Sequence, residues 1–79
     1  MARVLLFGRL ADIAGWREAE VEATSLHALR DTLTATDTAL GEALAGPGVQ
    51  AAVEKVIVRG DVPLSAGSEV AFLPPMSGG

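Results

Sequence analysis

Seventy-nine residues with a net charge of −4, no cysteine and one histidine make one small domain, and they exclude disulfides, thiolate metal sites and a histidine-built metal centre. Apolar residues are 49% and charged residues 20% of the chain, the composition of a folded domain rather than a disordered one. With no basic patch to neutralise phosphates, no signal-peptide run and no apolar stretch near the ~20 residues of a membrane span, the expectation is a cytoplasmic protein that binds neither nucleic acid nor membrane.

The first element is the apolar run Val4-Leu5-Leu6-Phe7, ended by Gly8. It reads as a strand with Val4 and Leu6 on one face and Leu5 and Phe7 on the other. Apolar residues on both faces suit a central strand, or one whose outer face a partner covers. Leu10–Ala14 has room for about one helical turn before Gly15. From Glu18 to Ala23 apolar and polar residues alternate, which predicts a strand paired with the first as a hairpin.

Thr24 and Ser25 are good N-cap residues, and Leu26, Leu29 and Leu33 follow at i, i+3 and i+7. That spacing predicts the main helix, about Leu26–Ala35. Thr36-Asp37-Thr38 either breaks this helix or caps a short second one carrying Leu40 and Leu44, and Gly46-Pro47-Gly48 is a firm stop. Val49–Val53 and Val56–Val58 read as a strand pair, although Glu54-Lys55 between them is poor chemistry for a two-residue turn that needs positive φ. After turns at Gly60–Pro63 and Ala66–Ser68, Glu69–Leu73 is the last strand, with Val70 and Phe72 on one face and Ala71 and Leu73 on the other. The element order predicts an α+β domain with a helix on one sheet face; the long helical crossover lets the first and last strands run parallel, side by side.

Residues 1–73 thus form the domain, and residues 74–79 continue as the tail Pro74-Pro75-Met76-Ser77-Gly78-Gly79. The two prolines fix φ and lack N–H groups, so they end the sheet and project the chain stiffly. Fully extended, such a tail reaches on the order of 20 Å. Gly78 and Gly79 can pass through a tunnel too narrow for any Cβ. A terminal carboxylate becomes attackable once converted to an acyl-adenylate, and a sulfur donor then leaves a thiocarboxylate. In a chain without cysteine, sulfur carriage has to use the C-terminus. A lone Gly-Gly ending also fits an inert terminus; the string from Phe72 to Gly79 is more specific than that.

The chain resembles the small subunit of molybdopterin synthase, a β-grasp sulfur carrier of ubiquitin-like fold. The resemblance runs nearly end to end, through Val4-Leu5-Leu6-Phe7, Leu26–Arg30, Ala51-Ala52-Val53, Pro63-Leu64, Gly67 and Glu69–Phe72, and is most specific in the ending Pro74-Pro75-Met76-Ser77-Gly78-Gly79. Two turns depart from the family: Glu54-Lys55 stand where it usually has Asn and a small residue, and Ser68 where it usually has Asp. The resemblance implies a mixed sheet of four to five strands with one main helix on one face. It further implies a protein that is no enzyme alone and binds no cofactor. An ATP-dependent adenylating enzyme activates Gly79, a sulfurtransferase system makes it a thiocarboxylate, and Gly78, Ser77, Met76, Pro75 and Pro74 deliver it. The recipient is a pyranopterin precursor in the large subunit, within a heterotetramer of two small and two large subunits.

If the helix covers Leu6, Val56, Val58 and Phe72, then Leu5, Phe7, Ile57 and Leu73 face outward. An apolar patch on a small domain marks a partner surface, and the resemblance assigns that role to Phe7, Ile57 and Leu73. His27 reads as a solvated helix residue, Trp16 as a half-buried turn aromatic, and Asp12, Glu18, Glu20 and Glu22 as a solvated acidic strip. The alternatives are a carrier for thiamine, amino-acid or tRNA thiolation, a ubiquitin-like protein modifier, and a plain interaction domain.

Overall fold

The computed structural model describes residues 1–75. Strand β1 (Ala2–Leu6) buries Ala2, Val4 and Leu6 while Arg3 is exposed and Leu5 half-buried, the period of two expected of a strand with one core face. It lies inside a five-stranded sheet of order β2-β1-β5-β3-β4. Strand β2 (Glu18–Val21) pairs antiparallel with β1, whereas β5 (Glu69–Leu73) pairs parallel with it in the register Val4↔Val70 and Leu6↔Phe72. On its other side β5 pairs antiparallel with β3 (Gln50–Val53), and β4 (Val56–Val58) closes the sheet as an edge strand. The last strand in chain order is therefore the central one, and its parallel pairing with β1 is the arrangement the crossover argument anticipated.

Among the described residues, three helices cover one face. Helix α1 (Arg9–Ala14) is the single turn or so expected before Gly15, which caps it in the left-handed conformation. Helix α2 (Leu26–Thr36) is the main one: Ser25 Oγ accepts from Ala28 N at 3.1 Å, and Leu26, Leu29 and Leu33 are buried. The open question at Thr36–Thr38 resolves as a second helix, α3 (Thr38–Leu44). Asp37 makes the junction: its N–H bonds Leu33 O at 2.9 Å to finish α2, and its Oδ1 accepts from Leu40 N at 3.1 Å to start α3. Where the two helices meet, a Cβ on Gly41 would stand 2.5–2.7 Å from Thr34, so this approach requires glycine.

The core is one cluster between sheet and helices, with Val4, Leu10, Leu26, Leu29, Leu40, Val70 and Phe72 all but inaccessible. The Arg30 guanidinium lies 5.4 Å from the Phe72 ring centroid, tying α2 to β5. The segment after β4 pins the start of α2: Leu26 N bonds Val62 O at 2.9 Å, Leu64 N bonds Thr24 O at 2.9 Å, and Asp61 Oδ1 accepts from His27 N at 2.8 Å.

Two expectations change. Val56 was assigned to the helix-covered face, yet it is 62% exposed, because β4 is an edge strand and the helical layer stops short of it. Glu54 and Lys55 do form the tight turn, at φ 52° and 68°. A compensating contact holds it: Glu54 N donates to Glu69 O at 2.9 Å, and Glu54 Oε1 accepts from Glu69 N at 2.6 Å. Side chain and backbone of one residue thus clasp the first residue of β5, offsetting a strain of about 1–3 kcal/mol per non-glycine residue at positive φ.

Candidate functional site

The sheet face turned away from the helices is built in rows across the strands. One row joins Leu5, Ala71, Ala52 and Ile57, by the pairings Leu5↔Ala71, Ala52↔Ala71 and Ala52↔Ile57. Leu73, paired with Gln50, begins the next row toward the end of β5, and Phe7 follows Leu6, the partner of Phe72. Phe7 and Ile57 are 46% and 45% exposed and Leu73 is half-buried. Alternation along the strands thus sets the three expected patch residues on the open face, with Leu5 and Ala71 between them.

The opposite end of this face is charged. Arg3 Nε bonds Glu18 Oε2 at 2.8 Å, and Glu20 and Glu69 are its cross-strand partners in the ladder. The hydrogen bond that Arg3 donates to Glu18, then the Glu18 charge, raise the pKa of the Arg3 guanidinium above its ordinary value, with Glu69 and Glu20 adding to the effect. The face is apolar at the end where β5 runs out and ionic at the end where β5 begins. Beside Phe7 a shallow hollow of about 420 Å³ opens between β1 and α1, with Asp12, Arg17 and Glu18 as its charged lining. Among the described residues no group of three His, Cys, Asp or Glu is placed to hold a metal ion. No helix among them is long and apolar enough to cross a membrane.

The chain leaves the sheet between two glycines. Pro74 is half-buried and Pro75 exposed. Gly8, at φ 58°, lies where an added Cβ would stand 3.0 Å from Pro74 Cγ; Gly48, at φ 82°, lies where one would stand 2.7 Å from Pro75 Cβ. Strand pairing brings them there: β1 and β3 flank β5, so the turn after β1 and the turn before β3 meet its exit from both sides. The sequence marked Gly8 only as a strand end and Gly48 only as part of a stop, because their meeting depends on strand order. Met76, Ser77, Gly78 and Gly79, expected to form the working end, lie outside the described residues.

Residues 4–79, nearly the whole chain, match the model of a known protein family, the ThiS family. The chain belongs to the ThiS family. Among curated proteins it is 37% identical over 81 aligned positions to the molybdopterin synthase sulfur carrier subunit of Escherichia coli (strain K12), with all of both chains covered. Among solved structures, this ThiS-family chain superposes on SAMP1 from Haloferax volcanii with a TM-score of 0.82 at 25% identity, covering 99% of this chain and 98% of that one. The small archaeal modifier protein 1 from Methanosarcina acetivorans gives a TM-score of 0.88 at 22% identity, covering 99% and 95%. The likeness to these neighbours establishes the ubiquitin-like β-grasp fold anticipated from the sequence.

Proposed function

We propose that this chain is a sulfur carrier whose Gly79 carboxylate is the working group, and that it serves molybdopterin synthesis. The observation that carries this reading is the full-length likeness, at 37% identity, to a molybdopterin synthase sulfur carrier subunit. The open sheet face supports it, since Phe7, Ile57 and Leu73 give a partner an apolar seat near the end of β5 from which the tail departs. The chain holds no cofactor and is no enzyme on its own; its chemistry is done by partners in the cytoplasm.

In the first step the Gly79 carboxylate attacks the α-phosphate of ATP on an adenylating enzyme, forming the acyl-adenylate and releasing pyrophosphate. Sulfide-level sulfur delivered by a sulfurtransferase then attacks the carbonyl carbon, and AMP leaves as the C–S bond forms. In the large subunit of molybdopterin synthase the thiocarboxylate sulfur bonds to a carbon of a pyranopterin precursor and displaces an oxygen substituent from it; water then cleaves the acyl–sulfur bond, leaving the sulfur on the precursor and returning the carboxylate. Gly78 admits the tail to a narrow channel, while Pro74, Pro75, Met76 and Ser77 set its reach. A dithiolene takes two sulfurs, which fits a heterotetramer of two small and two large subunits.

Reconstitution with the large subunit and precursor, using chemically prepared Gly79 thiocarboxylate, tests this reading. Sulfur transfer is expected from the full chain and none from the Gly79 deletion, whose Tm stays that of the parent; transfer by the deletion variant overturns the assignment. The second reading, a protein modifier, is favoured by the likeness to SAMP1. Intact-mass analysis from the native host separates the two: oxygen-to-sulfur exchange at the C-terminus marks a carrier, and lysine conjugates mark a modifier.

A further inference from the structure

We infer that Gly8 and Gly48 are positioning residues: together they form a two-sided cradle that aims the tail at the partner's reaction centre. This inference rests on the carrier reading above and adds what sets the tail's direction. Among the described residues five glycines have positive φ: Gly8, Gly15, Gly48, Gly60 and Gly67. At Gly15, Gly60 and Gly67 a Cβ would meet nothing within 4 Å, so backbone conformation alone accounts for glycine there. At Gly8 and Gly48 a Cβ would also run into the Pro74 ring at 3.0 Å and Pro75 Cβ at 2.7 Å.

The two contacts fall on consecutive prolines from opposite neighbours of β5, one from the β1 side and one from the β3 side. Each proline has a fixed φ and a rigid ring, so seating both rings fixes the direction in which the chain leaves residue 75. The seats are anchored in the sheet: Phe7 N donates to Phe72 O at 3.3 Å beside Gly8, and Gln50 pairs with Leu73 two residues after Gly48. A carboxylate at the end of a reaching tail reacts only when it arrives in line with its target, and a misplacement of about 1 Å costs up to about 100-fold in rate. The Gly8–Pro74 and Gly48–Pro75 contacts hold the root of that reach.

The cradle is tested by comparing Gly8→Ala and Gly48→Ala with Gly15→Ala and Gly60→Ala, which also place alanine at positive φ but meet nothing within 4 Å. Adenylation is read as pyrophosphate exchange with the cognate adenylating enzyme, alongside Tm. Gly8→Ala and Gly48→Ala are expected to lower kcat/KM by about tenfold or more. Gly15→Ala and Gly60→Ala are expected to lower Tm while kcat/KM stays within about twofold of the parent. Pro75→Gly covers the case in which Gly48→Ala does not fold; it empties one seat at an exposed position and is expected to lower kcat/KM with Tm unchanged. Equal kcat/KM in clashing and control variants, or a normal kcat/KM in Pro75→Gly, overturns the inference. Nuclear Overhauser contacts from Gly48 Hα to Pro75 Hβ and from Gly8 Hα to Pro74 Hγ test the seats without any activity, and their absence in the parent chain overturns the cradle. If those contacts are present and the parent chain is never adenylated, it is the carrier reading that fails.

Discussion

Ser68 is 6% exposed, and its hydroxyl settles a turn that the sequence left open. The Oγ accepts from Ser65 N at 2.9 Å, Ser68 N returns a bond to Ser65 O at 3.0 Å, and Ser68 O accepts from Arg3 N at 2.7 Å. The family's usual Asp offers an acceptor oxygen at the same place, so the departure changes the donor set and keeps the turn. Ser68→Ala removes the acceptor and leaves Ser65 N without it, a cost of about 1 kcal/mol. In a domain of this size Tm falls by about 4–8 °C, read by calorimetry, and an unchanged Tm refutes the role given to the hydroxyl. Glu54 works in a similar way, with one side chain repairing a backbone that the local sequence disfavours.

At the level of elements, the open face of the sheet is the surface proposed to meet a partner. Phe7→Arg replaces a half-exposed aromatic with a charge at its apolar end, while the core below, Leu6 and Phe72, is untouched. Stability is expected to stay within about 0.5 kcal/mol. Affinity for the large subunit of molybdopterin synthase is expected to fall at least about tenfold, as for loss of a buried aromatic anchor; titration calorimetry with unaltered affinity disproves the patch. This face was legible in part: alternation pairs Leu5 with Phe7 and Ala71 with Leu73 on their own strands, and the condition that the helix covers Leu6 and Phe72 puts both pairs on one side. Helix α2 was equally legible from Leu26, Leu29 and Leu33. Less was readable where the outcome hung on distant chain: Glu54-Lys55 takes its turn only because Glu69 is there to be clasped, Val56 is exposed only because β4 closes the sheet, and the seats of Pro74 and Pro75 exist only once β1 and β3 have both found β5.

On the scale of the molecule, one strand holds the two halves together. The hairpin β1–β2 and the hairpin β3–β4 do not pair with each other; each is joined to the sheet through β5. Phe72 and Val70, both at 0% exposure, also supply the floor on which the helices rest. A chain ended after Gly67 therefore loses the centre of the sheet and the largest buried side chain, and it is expected to show no cooperative thermal transition and rapid amide exchange throughout. A sharp melting transition in that fragment contradicts the dependence on β5.

The central place of β5 also sets a timetable for biosynthesis. Everything up to residue 68 emerges from the ribosome without the strand that joins the two hairpins into one sheet, and the sheet can close only when residues 69–73 come clear. Closure of the sheet thus waits for β5. Until that strand is available, the emerging chain presents no finished sheet face for another protein to recognise.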